Sequence, residues 1–241
     1  MSLRQLKTVD APLIIKQTGF DGFYIDCEHG LFSIREVSDL CVAAAALELT
    51  ALVRVHSVSV GALGPVLDAG AAGVIIPHVN NALEAAAAVR LCKYPPMGVR
   101  SMAALGPSSC YQKISTPQLI AQRDAAVMVI AMIETAEGVE NADQISAVDG
   151  VDALMMGPMD LSLDMGIPGE LRHPKICEAY LKALSAAKAS DKHFIGGDSG
   201  GPSVAELLKN GARIILGGSD TAYFIQALTQ ANKNLRAEIN Q

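Results

Sequence analysis

The chain has 241 residues, of which half are hydrophobic and 18% charged, enough apolar material for a substantial core. The formal net charge is -6, and Lys and Arg are scattered without a basic run, which argues against a nucleic-acid surface. No charge-free apolar stretch reaches about 18 residues, so no transmembrane helix is expected.

Short apolar runs alternate with longer amphipathic ones. The first candidate strand is LRQLK (3–7), which is weak, followed by a helix over APLIIKQTG with Asp10 as its N-cap. GFYI (22–25) is the second strand, and Ser33 and Glu36 have capping-box spacing at the start of a helix reaching about residue 47. ALVRV (51–55) and GVIIP (73–77) follow, then an Ala-rich helix over NALEAAAAVRLC. VMVIAMI (127–133), DALMM (152–156), HFIG (193–196) and RIIL (213–216) complete the strands. Helices are expected over 137–147, 173–189 and 220–237, with a second capping box at Ser203 and Glu206. Most strands are apolar on both faces, as buried parallel strands are. Glycine-bearing turns at 19–22, 70–73, 149–152 and 210–213 each join a helix to the next strand. Eight such alternations in this length predict one domain over 1–241, a (β/α)8 TIM barrel. A doubly wound sheet is the alternative, but no GxGxxG loop follows the first strand.

Five cysteines, at 27, 41, 92, 110 and 177, form no CxxC, and the N-terminus MSLRQLKTVD has no apolar signal core. Both features point to a reducing compartment, the cytoplasm, without a disulfide framework.

A barrel places its chemistry at the C-terminal ends of its strands. There the sequence offers Asp26, Glu28 and His29 after the second strand, Arg54 in the third, Pro77 and His78 after the fourth, and Glu134 after the fifth. Gly157, Pro158 and Asp160 follow the sixth, GGDSGG the seventh and GGSD the eighth. A lone charge at a strand end is most often a solvated turn. Glu134 differs, because it follows seven apolar residues, and an acid emerging from a central strand needs a cation or metal. Glu134 and Asp160 are the oxygen donors a hard divalent ion takes, with waters completing its shell. Arg54, flanked by Val53 and Val55, suits bidentate capture of a carboxylate. A histidine nearby suits proton transfer near neutral pH. His56 and His78 are read as structural, and His173 and His193 fall at the wrong face. Asp68 ends a helix, where an acid opposes the dipole, so it needs a specific partner.

The stretches GFDGFYIDCEHG, LVRV, VLDAGAAGVIIPHV, YPPMGVRS, AMIETAEGVENADQISAVDGVDALMMGPMDLSLDMGIPG and LGGSDTA, running in order from about residue 19 to 222, resemble the HpcH/HpaI aldolase family. The resemblance implies a class II pyruvate aldolase dependent on Mg, Mn or Co. It would reversibly cleave a 4-hydroxy-2-oxo acid to pyruvate, or a close 2-oxo acid, and an aldehyde through a metal-stabilised enolate. It assigns proton handling to His29, with Asp68 as the acid pairing with it, and binding of the keto acid and its enolate oxygen to Arg54. Glu134 and Asp160 become the metal ligands, and the backbone of Gly157, Pro158 and Met159 the carboxylate site. Asp26 and Glu28 would orient water and the histidine. The partners implied are small molecules and further copies of the chain, in a homohexamer built as a trimer of dimers with an exchanged C-terminal helix.

Met132 stands where many members have Gln, Cys27 where many have Gly, and the first strand is weaker than in most members. The glycine loops after strands seven and eight leave a phosphorylated small-molecule substrate as a rival reading, and an inactive paralogue as another. No lysine falls at a central strand's C-terminal end, which argues against Schiff-base aldol chemistry.

Overall fold

The computed structural model describes residues 1–103 and 105–239. Among them, eight parallel strands pair in chain order: β1 (Ser2–Leu3), β2 (Gly22–Asp26), β3 (Thr50–Arg54), β4 (Gly73–Ile76), β5 (Met128–Ile133), β6 (Ala153–Met156), β7 (His193–Gly197) and β8 (Ile214–Leu216). Ser2 bridges to Ser219 and its N–H donates to Gly218 O at 3.1 Å, bringing the two edges together. The expected (β/α)8 barrel is therefore present.

Helices cover the sheet: α1 (Ala11–Gln17), α2 (Ile34–Ala46), α3 (Val60–Asp68), α4 (Ala82–Cys92), α5 (Thr116–Ala126), α6 (Ala136–Glu140), α7 (Ala142–Ser146), α8 (Pro158–Asp164), α9 (Pro174–Ala189), α10 (Val204–Lys209) and α11 (Asp220–Ile239). The Ser33–Glu36 capping box is complete, with bonds in both directions. At Ser203 only the serine half forms. Asp10 makes no side-chain cap. The helix expected over 137–147 is two short ones meeting at Asn141. In the four helix-to-strand turns Gly19, Gly70, Gly150 and Gly211 adopt positive φ; Gly19, Gly70 and Gly211 directly follow the C-caps of α1, α3 and α10, whereas Gly150 lies three residues beyond the C-cap of α7.

The two faces of each strand build two cores. Tyr24, Ile75, Ile130, Met132, Met155 and Ile195 fill the barrel interior. The alternating outward residues, such as Phe23, Ile25, Val53, Val74 and Leu154, pack against the helices. Counting on by two from the interior residues brings Asp26, Arg54, Glu134 and Gly157 to the inward side at the C-terminal mouth.

The first strand departs from expectation. It ends at Leu3 rather than running through LRQLK. The cause is Asp220, whose buried carboxylate accepts the backbone N–H groups of Arg4, Gln5 and Leu6 at 2.8 to 3.1 Å. Those donors are spent on a side chain and cannot continue a ladder.

Candidate active site

Asp26 ends β2 fully buried and organises one side of the mouth. Arg54 grips it in a fork, Nε to Oδ1 at 3.0 Å and Nη2 to Oδ2 at 2.6 Å. Arg4 Nε adds a contact to Oδ2 at 3.1 Å, and the backbone N–H groups of Glu28 and His29 donate to Oδ1 at 3.2 and 3.1 Å. Burial pushes the Asp26 carboxyl up, but Arg54, the His29 amide and Arg4 outweigh it and hold it below the usual carboxylate range. The fork fixes the Arg54 guanidinium rigidly. Its Nη1 lies 2.9 Å from Glu28 Oε2, outside hydrogen-bond geometry, and 3.8 Å from the Met132 sulfur. Met132 thus places a soft acceptor against Arg54.

Glu134 occupies the facing side. It is 1% exposed; Oε2 accepts the His78 backbone N–H at 2.9 Å, with His78 Nδ1 at 3.3 Å. His78 Nε2 stands 3.4 Å from Glu28 Oε1, so one imidazole bridges two acids. Burial raises the Glu134 carboxyl above its ordinary value; the His78 N–H and ring oppose this, while the charges of Glu28 and Asp160 add to it. The Glu134 carboxylate thus sits in the field of two further acids, Glu28 and Asp160.

Glu134 can stand there because residue 157 is glycine: a Cβ at that position would lie 2.3 Å from Glu134 Oε1. Gly157 then opens α8, which carries Asp160 in its first turn. Of the three residues expected to supply a carboxylate site, the Gly157 N–H is spent on Ile133 O at 3.0 Å, and Pro158 has none. Met159, with the adjoining Asp160, offers the first-turn N–H groups that lack a helical acceptor.

His29 is half exposed at the mouth, with Nε2 3.9 Å from Glu28 Oε2. Asp68 is elsewhere. It closes α3, which runs back from the mouth, and its carboxylate accepts from Arg100 Nη2 at 2.9 Å. Among the described residues no His29–Asp68 contact forms within the chain, because the barrel topology puts them at opposite ends. Sequence reasoning left out His78 as a site residue; its signal was its place directly after β4 and Pro77. The burial of Cys27 and the Asp26 charge raise its thiol to about 11, as suits a packing role.

The acids fit a divalent cation chemically: they are hard oxygen donors whose mutual repulsion a cation relieves. Among the described residues no group of three or more His, Cys, Asp or Glu side chains is arranged to hold a metal ion by itself. Glu134 and Asp160 would hold the ion with water or substrate completing the shell.

A parallel barrel with a clamped arginine beside carboxylates at its C-terminal mouth defines a barrel enzyme with an acid-rich centre. A model of the HpcH/HpaI aldolase/citrate lyase family matches residues 10–227. A 4-hydroxy-4-methyl-2-oxoglutarate aldolase of Chaetomium globosum is 37% identical over 193 residues, covering 78% of this chain and 70% of that protein. A hydroxypyruvate/pyruvate aldolase of Roseobacter denitrificans is 32% identical over 228 residues, covering 93% and 86%. The crystal structure of an HpcH/HpaI aldolase from Desulfitobacterium hafniense superposes with a TM-score of 0.91 at 31% identity, over 98% of this chain and 91% of that one. The chain belongs to the HpcH/HpaI aldolase/citrate lyase family.

Proposed function

We infer that this protein is a class II aldolase that cleaves 4-hydroxy-2-oxo acids reversibly to pyruvate, or a close 2-oxo acid, and an aldehyde. The observation that carries this is a buried, forked Arg54 at the same mouth as the acids Glu28, Glu134 and Asp160. Mg, Mn or Co bound by Glu134 and Asp160 would supply Lewis-acid polarisation of the 2-keto oxygen.

The chain's own residues perform the rest. The free N–H groups opening α8 receive the substrate carboxylate. His29, exposed at the mouth, takes the C4 hydroxyl proton. The C3–C4 bond then breaks, the aldehyde leaves, and its bonding electrons pass into the enolate of the 2-oxo acid. Arg54, fixed by Asp26 and so requiring no reorganisation, stabilises the enolate oxygen. A proton from water at C3 completes the acid. Glu28 and His78 hold the position of the cluster.

A Schiff-base mechanism has less support. The buried Lys93 donates to Asp124 O and Val127 O at 2.6 and 2.7 Å, where α5 leads into β5 at the end of the barrel away from the mouth. The phosphate reading also has less support, since the glycine loop after β7 carries an exposed acid, Asp198, paired with Arg172.

Asp68 would serve His29 only across an interface between copies. The long helix α11 has Asp220 as its one buried residue among those described, and leaves Phe224, Ile225, Leu228 and Leu235 exposed. An exchanged α11 and a homohexamer would cover that surface; residues 240 and 241 of the segment lie outside the described residues. A trimer-of-dimers mass by light scattering is the expected result.

The deciding experiment is proton NMR of pyruvate in D2O with EDTA-stripped protein, then with Mg2+, Mn2+ or Co2+. Metal-dependent loss of the methyl signal is expected. No exchange with any metal, for pyruvate and for hydroxypyruvate at its C3 position, from folded protein, would overturn the reading.

A further inference from the structure

The mechanism above leaves a second arginine at the mouth unused. On β1, Ser2 lies in register with Tyr24, a barrel-interior residue, and so faces inward. Arg4, two residues on, continues on the same inward side. Two anchors hold it. Its backbone N–H donates to both Asp220 carboxylate oxygens at 3.1 and 3.0 Å, and its Nε donates to Asp26 Oδ2 at 3.1 Å. Asp26 does not need this contact, because the Arg54 fork and two backbone N–H groups already satisfy it.

The free end of Arg4 is the informative part. Among the described residues its Nη1 and Nη2 have no protein acceptor, and the side chain, tied to Asp26 at the end of β2, is 43% exposed. One carboxylate, Asp26, therefore holds two guanidiniums; Arg54 also meets Glu28 at 2.9 Å, which leaves the Nη groups of Arg4 as the ones without an acid. Beyond β1, the inward position at the end of β7 is Gly197, which adds no side chain to the space.

We propose that Arg4 is a specificity residue that receives a second carboxylate, at the aldehyde end of the substrate, so that the preferred 4-hydroxy-2-oxo acids are dicarboxylic. This rests on the aldol reading above and names the substrate class within it. An arginine fork immobilised at Nε presents its two Nη groups to a carboxylate in charge-assisted, bidentate geometry, which a neutral alkyl end cannot use.

The test compares two five-carbon 2-oxo acids that differ only at the far end, 2-oxoglutarate and 2-oxopentanoate. Their affinities are measured calorimetrically in Mg2+ for the wild type, Arg4→Met and Arg4→Lys. The wild type should bind 2-oxoglutarate about tenfold or more tightly, the ratio a charge-assisted hydrogen bond supports. Arg4→Met should bring the ratio close to one, with the loss falling on the dicarboxylate, and Arg4→Lys should sit between. Initial rates for pyruvate with succinic semialdehyde against butanal should show the same split in kcat/KM.

Equal affinities in the wild type, or a ratio unchanged in Arg4→Met, would overturn the proposal while leaving the aldolase reading intact. An equal drop for both acids would reduce Arg4 to a residue that positions Arg54 through Asp26, and would also overturn it. If neither acid binds the folded wild type, the 2-oxo acid reading itself fails with it. Should Arg4→Met not fold, the wild-type preference and the Arg4→Lys ratio decide.

Discussion

Glu134→Gln separates function from stability. The wild-type carboxylate is 1% exposed, near Glu28 and Asp160, and its carboxyl titrates above the ordinary carboxylate range. A carboxyl whose folded pKa exceeds its unfolded value binds its proton more tightly when folded. Its ionisation therefore opposes folding, with no penalty below the unfolded value of 4.5 and the full penalty above the folded one. The amide of Gln keeps an oxygen for the His78 N–H and removes the charge. Without metal at pH 8, Glu134→Gln should be more stable than wild type by about 1 kcal/mol, the scale on which replacing a strained functional group stabilises. For a chain of this size that is roughly 2–4 °C in Tm. The gap should shrink toward pH 4. Saturating Mg2+ should reverse the order, because binding at 100 times Kd adds about 2.7 kcal/mol to a protein that holds the ion. Differential scanning fluorimetry with EDTA and with Mg2+, at both pH values, reads all of this. A variant less stable than wild type in EDTA at pH 8, or an equal metal-induced rise in both proteins, would refute the reasoning.

Gly157→Ala forces a methyl to 2.3 Å from Glu134 Oε1, so pyruvate exchange by NMR should fall at least about 100-fold, with an overpacking cost of about 1–3 kcal/mol by urea unfolding. Arg54→Lys keeps the charge but loses the Asp26 fork; kcat/KM for cleavage should fall about 10²–10³-fold in a coupled pyruvate assay, and near-wild-type rates would refute the enolate role. Asp220→Asn weakens the acceptor that gathers three backbone N–H groups, and should cost about 2–3 kcal/mol near neutral pH. Burial raises the Asp220 carboxyl, but those N–H groups outweigh it and hold it low, so the wild-type advantage stands above the unfolded value of 3.8 and disappears as pH falls through the lower folded value. Thermal melts from pH 7 to pH 3 check this.

The alternation of buried strands with helices was readable because most of the parallel strands are apolar on both faces and four of the intervening turns carry glycine at positive φ. Arg54 and Glu134 stood out individually, since a charge set within or just after an apolar run must find a partner. Those are local properties of the chain, carried by consecutive residues, and they determined the barrel and the strand ends where its chemistry lies. The partners themselves were not legible. Asp26 reads as an ordinary strand-end acid until residues 4 and 54 meet on it, and His78 reads as structural until it bridges Glu28 and Glu134. The end of β1 depended on Asp220, some two hundred positions away, which claims the N–H groups that would have extended the strand. The position of Asp68 was decided by the direction of α3, which turns it away from His29 toward Arg100. Periodicity is written along the chain, whereas hydrogen bonds and ion pairs between distant residues exist only once closure of the barrel has set the distances between strand ends.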